Sequence, residues 1–416
     1  MKPVPAAPAA AGPDAGLEAE GVTAPAGFRA GVASADVRQD GSDRPDVAVL
    51  ISERPAAAAG LFTRNRVRAA PVVISALHLR RGTVRAVVVN SGNANACTGA
   101  RGLGDALRMT QVTADAVACD AGEVLVASTG VIGRPLPMER LVPAIRAAAA
   151  AASPAGGPPA ARAIMTTDTV PKTAVARVTV GGHRYTVGGM AKGSGMIHPD
   201  MATLLVFCTT DAPLPAAVLQ PLLGQAVDGS FHCITVDGDT STNDTVLALA
   251  NGQAGGPPLA AGSAGAAAVG EALAAVCLEL ARAVVRDGEG ATRAFTVRVE
   301  GAADVAAARR AARTIAGSPL VKTAIHGADP NWGRILAALG RSDVDLTLDR
   351  CTVTVGGAAV FRRGVPVEAD LDQIAKAFRQ PEVAIGVDLG AGEAVGSAYG
   401  CDLSCEYVRI NGDYTT

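Results

Sequence analysis

The stretch from Val187 to Asp211, VGGMAKGSGMIHPDMATLLVFCTTD, constrains this chain more than any other. A glycine-rich approach carrying Lys192 leads through His198, Pro199 and Asp200 into Met201-Ala202-Thr203, and an apolar, strand-like run follows at once. A threonine that opens a buried strand behind such an approach can become a new amino terminus. Cutting the Ala202–Thr203 bond leaves Thr203 with both a hydroxyl and a free α-amine, a nucleophile whose base sits on its own residue. With an ordinary pKa of about 7.7–8.0, that amine is neutral in roughly a seventh of molecules at pH 7. A lysine near ~10.4 is neutral in about one molecule in two to three thousand, so the new terminus is the better base by roughly two orders of magnitude or more. The bland alternative is that Met-Ala-Thr-Leu-Leu simply begins a core strand. The tripeptide alone does not decide between them.

Composition removes several function classes. A chain of 416 residues with 49% hydrophobic content can bury a large core, or two. Its net charge is −2 and neither sign forms a long block, which speaks against nucleic acid and against an electrostatic membrane surface. Aromatic residues are only 3%, too few for a base-stacking platform. No run reaches the roughly 18–20 strongly apolar residues that span a bilayer. The amino terminus, MKPVPAAPAAAGPDAG, lacks a leucine-rich segment and is punctuated by Pro and Gly. It reads as a flexible tail and not a signal peptide, which points to the cytoplasm. The eight cysteines contain no CxxC pair and read as small buried hydrophobes; with the five histidines they offer no zinc spacing. The stretch Asp237–Asp244 resembles a calcium loop but lacks the glycine at its sixth position, and Ala248 stands where a bidentate Glu is needed. No metal is expected.

Valine-rich runs at Asp46–Ile51, Gly60–Thr63, Pro71–Ile74 and Val84–Asn90 read as short strands. Leu103–Cys119 has helical spacing, Glu123–Ala127 reads as a strand ending in a Ser128-Thr129-Gly130 turn, and Leu141–Ala152 as a helix broken by Ser153–Pro159. Ala174–Val180 and Arg184–Val187 form a hairpin through Gly181-Gly182. Strands follow at Thr203–Thr209, Thr245–Asn251, Ala294–Val299, Cys351–Val355, Val383–Leu389 and Tyr407–Ile410. Helices are expected at Pro215–Val227, Ala266–Val285, Asp304–Ala316 and Trp332–Leu339, with a loop at Gly255–Gly265. Without a repeat or strict βαβ alternation, the fold class is α+β: mixed sheets layered with helices.

Three rival chemistries fare poorly. There is no G-x-S-x-G elbow and no GxxxxGK[ST] loop, and nothing singles out a Cys/His pair such as Cys233 with His326. Thr129-Gly130, by contrast, sits at a strand end, where a hydroxyl and a backbone N–H can point into a cleft.

The Thr203 segment is accompanied by Asn90–Gly99, Ser128-Thr-Gly-Val-Ile-Gly133, Ile164-Met-Thr-Thr-Asp-Thr-Val-Pro-Lys172 and Asp287-Gly-Glu-Gly-Ala-Thr292. It is also accompanied by Ser318–His326, Asp329-Pro-Asn-Trp-Gly-Arg334 and Tyr407-Val-Arg-Ile-Asn411. In this order, from about Gly27 to the end, these blocks resemble the ornithine acetyltransferase family, the glutamate N-acetyltransferases of the cyclic arginine pathway. The resemblance implies two mixed α/β lobes in a self-cleaving fold shared with β-aminopeptidases, with the site at the lobe interface. It divides the chain into a tail (1–26), an α fragment (27–202) and a β fragment (203–416), cut between Ala202 and Thr203 inside the fold.

Resemblance further implies that Thr203 is the nucleophile, that Thr129 and Gly130 stabilise the oxyanion, and that Thr166, Lys192, Glu289, Asn411 and Thr416 join Thr203 in binding substrate. A zwitterionic substrate needs acceptors for ammonium and donors for carboxylate, roles that Glu289 and Lys192 suit. The implied reaction moves an acetyl group from N²-acetylornithine to glutamate through an acetyl-threonine, releasing ornithine and N-acetylglutamate. No cofactor is expected, acetyl-CoA as a second donor is left open, and two copies of each fragment would make a heterotetramer. Two other classes compete: a self-processed, aminopeptidase-like hydrolase in which water takes the acyl group, and a processed but silent binding protein.

Overall fold

A computed structural model describes residues 15–16, 18, 20–198, 204–368 and 370–413. Met201, Ala202, Thr203 and Thr416 lie outside the described residues.

The first half of the chain runs β1 (Ala15–Gly16), β2 (Phe28–Ala33), β3 (Val47–Phe62), α1 (Ala70–Leu79), β4 (Thr83–Asn93), α2 (Gly99–Val117) and β5 (Val124–Val131). It continues with α3 (Met138–Ala150), α4 (Gly157–Ala163), β6 (Lys172–Val180), β7 (His183–Lys192), β8 (Leu205–Thr210), α5 (Ala216–Asp228), β9 (Ile234–Thr235) and β10 (Thr245–Ala250). The second half comprises α6 (Ala264–Arg286), β11 (Ala294–Ala302), α7 (Val305–Ala316), α8 (Pro319–Gly327), α9 (Gly333–Gly340), β12 (Thr352–Val355) and β13 (Ala358–Arg362). It ends with β14 (Val365–Pro366), α10 (Leu371–Phe378), β15 (Glu382–Asp388), β16 (Ala394–Cys401) and α11 (Cys405–Asp413).

Among the described residues the strands form two sheets. One has nine strands in the order β1-β6-β7-β8-β10-β3-β4-β5 with β2 on β3; the other has seven, β14-β13-β12-β15-β11-β16-β9. Both are mixed: β8 runs antiparallel to β7 but parallel to β10 in the first, and β11 runs parallel to β15 but antiparallel to β16 in the second. All six residues of β8 are buried because both sheet faces are covered. Val206 and Cys208 pack with α5 and α6, while Leu205 and Phe207 pack with Met190, Leu247 and α4. Helices α1, α2 and α3 pack on the β3–β4–β5 end. The second sheet carries α7 to α10 around its own core.

Several local expectations need correction. The runs at Asp46–Ile51 and Gly60–Thr63 belong to one sixteen-residue strand, β3. Pro55 inside it is tolerated because the register with β4 shifts between Ile51 and Ala56, where the ladder needs no proline N–H. Pro71–Ile74 is helix, not strand. Pro71 occupies the first turn of α1, and Ser75 Oγ and His78 Nδ1 clamp that helix to the Val126 and Val124 carbonyls at 2.6 and 2.8 Å. Here tertiary packing overrides the β preference of valine. Ser128–Gly130 is not a turn but the last part of β5. Beyond Ser153 the chain does not stay open: Pro158 and Pro159 sit in the first turn of α4, where a missing N–H is harmless. Tyr407–Ile410 is likewise helix, within α11. Helices α8 and α10 and strands β1, β2, β9, β13, β14 and β16 have no counterpart in the sequence reading. Of the cysteines read as buried, Cys97 and Cys405 are exposed.

Among the described residues no helix is long and apolar enough to cross a membrane, and no cluster of three metal-ligating side chains occurs.

Candidate active site

The hairpin β6–β7 pairs Lys172 with Ala191, β7 pairs Lys192 with Leu205, and Leu205 in turn pairs with Thr245. Residues 193–204 therefore link two neighbouring strands at one end of the nine-stranded sheet. The C-terminal end of the next parallel pair, β4–β5, brings Thr129 and Gly130 to the same region. A cleft opens there, with about 630 Å³ of empty space including its mouth. Its walls carry Thr129, Gly130, Thr166, Lys192, Glu289 and Asn411. Every described residue of the candidate set lines this one cavity, although they come from five separate parts of the chain.

The geometry of each has a local cause. Gly130 adopts φ +133°, and a Cβ there would lie 2.3 Å from the Gly92 carbonyl carbon, so only glycine lets β4 and β5 close at this point. Thr129, 3% exposed, presents its hydroxyl to the Lys192 ammonium, which donates to Oγ1 at 3.4 Å. Glu289 follows α6 in a loop fastened by its own N–H to Ser194 O at 2.9 Å, and it accepts from Asn411 Nδ2 at 2.8 Å. Gly195 lies directly opposite: a Cβ there would come within 2.3 Å of Glu289 Oε2 and would push the carboxylate aside. Helix α11 thus returns the carboxyl end of the chain, through Asn411, to a site begun more than two hundred residues earlier.

Charge is concentrated and buried. Asp168 is buried within 3.9 Å of the Lys192 ammonium, accepts from Lys172 Nζ at 2.6 Å and from Gly193 N at 2.7 Å. Burial alone would raise this carboxyl, but Lys192, Lys172 and the hydrogen bonds overturn it and hold the pKa at about 2. Burial pushes the Lys192 pKa below the ordinary lysine value; Asp168 opposes that shift and Lys172 adds to it. Asp244, fully buried ahead of β10, accepts from Leu204 N at 3.1 Å, and its desolvation raises it well above the usual carboxylate range.

The sequence reading missed several contributors. Ser241, Thr242 and Asn243 line the cavity, and Asn243 Nδ2 ties the segment after β4 to β5 by donating to Ala94 O at 2.6 Å and Ser128 O at 2.8 Å. Their signal in the sequence is a polar run, Ser241–Asp244, inside the calcium-loop-like stretch and leading directly into the fully buried strand β10. Asp168 and Asp287 also went unassigned, although both stand inside blocks that were noticed.

Such a cavity suits acyl transfer to and from a small zwitterion: donors for an oxyanion on one wall, a carboxylate and an ammonium on the others. The ArgJ family profile matches residues 29–416. The chain is 54% identical to the Arginine biosynthesis bifunctional protein ArgJ of Symbiobacterium thermophilum over 398 residues, covering 96% of this chain and 99% of that one. It is 48% identical to the protein of the same name from Dehalococcoides mccartyi over 395 residues, covering 95% and 97%. Among solved structures, the ornithine acetyltransferase of Mycobacterium tuberculosis complexed with ornithine matches at 41% identity with a TM-score of 0.41, over 46% of this chain and 100% of that chain.

Proposed function

The chain belongs to the ArgJ family, and on that premise we propose that it is a self-processing glutamate N-acetyltransferase working through an acetyl-Thr203 ester. It is an acyltransferase of arginine biosynthesis, the pathway for which its near-full-length relatives are named, and the hydrolase alternative gives way to it. The observation that carries the detailed reading is the convergence of Thr129, Gly130, Thr166, Lys192, Glu289 and Asn411 on one cavity, beside the segment that leads into β8.

In this reading the Ala202–Thr203 bond is first cut by attack of the Thr203 hydroxyl on the Ala202 carbonyl, followed by hydrolysis of the resulting ester. The mature Thr203 hydroxyl then attacks the acetamide carbon of N²-acetylornithine while its own α-amine takes the proton. Negative charge on the tetrahedral oxygen is met by the Thr129 hydroxyl and the Gly130 N–H. The C–N bond breaks, the proton passes to the departing nitrogen, and ornithine leaves an acetyl ester on Thr203. Glutamate enters, its neutral amine attacks the ester, and N-acetylglutamate leaves as the threonine recovers its proton. Glu289, with Asn411, receives a substrate ammonium; Lys192 offers a proton to a carboxylate; Thr166 and Thr416 add neutral hydrogen bonds. Acetyl-CoA as a second acetyl donor, a cytoplasmic location and an assembly of two α and two β fragments belong to the same proposal.

The test is to mix purified protein with N²-acetylornithine alone. A fragment beginning Thr-Leu-Leu-Val should gain one acetyl group by mass spectrometry and lose it on adding glutamate. Free acetate released without glutamate would restore the hydrolase reading, and an unacetylated protein that exchanges no labelled ornithine would restore the silent binding protein.

A further inference from the structure

Three buried charges beside the cavity have no part in the steps above. Asp168 and Lys172 flank the entry to β6 and Asp287 caps the carboxyl end of α6, so they lie in the two blocks from which only Thr166 and Glu289 were given tasks. Lys172, 1% exposed, places Nζ 2.6 Å from Asp168 Oδ1 and 2.6 Å from Asp287 Oδ2. Asp168 Oδ2 is 3.9 Å from Lys192 Nζ, and Lys192 donates to Thr129 Oγ1. The four groups form a row of alternating charge, Asp287–Lys172–Asp168–Lys192, that ends on a hydroxyl facing the cavity.

We propose that this row is a positioning device for the oxyanion site: it seats the Lys192 ammonium on Thr129 Oγ1, which leaves the hydroxyl proton directed into the cavity. The proposal rests on the acyl-transfer reading. Its chemistry follows from counting donors. An ammonium has three protons and no acceptor, so between Lys192 and Thr129 the hydroxyl oxygen must accept, and its single proton is left for another acceptor. In the tetrahedral intermediate that acceptor is the oxyanion. The row is preorganised by backbone on every side: Asp168 takes Thr166 N at 3.0 Å and Gly193 N at 2.7 Å, and Asp287 takes Thr169 N at 3.0 Å together with the Thr169 hydroxyl. Stability alone is a poor reason for such a row, because desolvating buried charges offsets most of what their pairing returns. Asp287 also lies on the far side of the Ala202–Thr203 bond from Asp168, Lys172 and Lys192, so the row is complete only when both segments are in place.

The charged groups that face Lys192 are Asp168 from the loop before β6, Lys172 from β6, Glu289 from the loop after α6 and Asp244 from the start of β10. Two row members that do not line the cavity make the test, Lys172→Met and Asp287→Asn. The readout is the pH dependence of acetyl-enzyme formation from N²-acetylornithine, in which no glutamate amine takes part. If Lys192 must carry its proton, the alkaline limb reports its loss. Lys172→Met removes a neighbouring positive charge and should move that limb to higher pH. Asp287→Asn leaves Lys172 less neutralised and should move it to lower pH. Both should lower kcat by about 10–10²-fold through misplacement of the ammonium, with a smaller rise in KM because Lys192 also meets a substrate carboxylate. Where a single variant fails to fold, Lys172→Met with Asp287→Asn removes one charge of each sign; its limb should return toward the wild-type position while kcat stays low. Limbs that do not move, wild-type kcat in the double variant, or an effect confined to KM would overturn the proposal. A wild-type protein that forms no acetyl-enzyme at any pH would instead sink the acyl-transfer reading, before any variant is made.

Discussion

Thr129→Ala separates transition-state stabilisation from binding. The substitution removes one of the two oxyanion donors assigned to the β5 end and leaves Gly130, whose place is fixed by its close approach to Gly92. A preorganised donor of this kind is worth about 10²–10³ in kcat, or about 2.7–4 kcal/mol of barrier. The structure sets a second, separable cost. Thr129 is 3% exposed and its oxygen accepts from a buried ammonium, so its loss also removes a charged hydrogen bond worth about 1.5–3 kcal/mol of stability. That second cost lowers Tm but not the turnover of molecules that remain folded. Thr129→Ser keeps the oxygen and should recover most of kcat. Stopped acetylation measured by mass spectrometry, with steady-state transfer to glutamate alongside, gives kcat and KM at a temperature where both variants are folded. A raised KM with unchanged kcat would place Thr129 in substrate binding and refute the oxyanion assignment.

Thr203→Ala should abolish both cleavage and transfer while Thr203→Ser retains part of each, read by terminal sequencing and ornithine release; normal transfer by the Ala variant would end the covalent mechanism. Gly130→Ala should fail to give active enzyme even where Thr129→Ser succeeds, since a Cβ there lies 2.3 Å from the Gly92 carbonyl carbon at a positive φ; wild-type activity would show that the strand end is not rigid. Asp168 has its folded pKa lowered to about 2, so its stabilisation is fully present above the unfolded carboxyl value near ~3.9 and is lost as pH falls through the folded one. The stability gap between wild type and Asp168→Asn, from denaturant unfolding, should therefore shrink between about pH 4 and pH 2; a constant gap would contradict the charged state. Double-reciprocal plots at several glutamate concentrations should be parallel, because one set of charged partners cannot hold acetylornithine and glutamate together; intersecting lines would require a ternary complex.

What could be read from the sequence was what depends on local chemistry. Long helices such as α2, α5 and α6 announced themselves by periodicity, and the Gly181-Gly182 turn marked its hairpin. What could not be read depends on partners distant in sequence. Pro71–Ile74 has the composition of a strand, and only its clamp onto the Val124 and Val126 carbonyls makes it a helix. Tyr407–Ile410 alternates like a strand, yet it is part of a helix whose Asn411 reaches Glu289. The family resemblance named the cavity residues one by one, but residues that act by holding others were invisible to it. Asn243 bonds the carbonyls of Ala94, just past β4, and Ser128 in β5, and Asp168 and Asp287 share Lys172 across more than a hundred residues.

That distinction also explains why a chain proposed to be cut in two needs no linker between domains. In the sequence the bond before Thr203 falls between β7 and β8, whose ladder among the described residues runs from Lys192↔Leu205 to Val187↔Thr210. Opening the chain there leaves the rungs from Lys192↔Leu205 to Val187↔Thr210 in place. Separating the pieces afterwards would strip β8 from β7 and β10 from β3 and uncover Leu205 and Phe207, each 1% exposed, which pack toward Met190 and α4 of the other piece. At about 1.5–3 kcal/mol per buried side chain, those two residues alone resist separation by roughly 3–6 kcal/mol. The row from Asp287 to Lys192 adds a functional condition to that mechanical one, because its members come from both sides of the bond. A cut chain can thus keep both its fold and its oxyanion geometry, since the pieces are held by the same sheet that positions the chemistry.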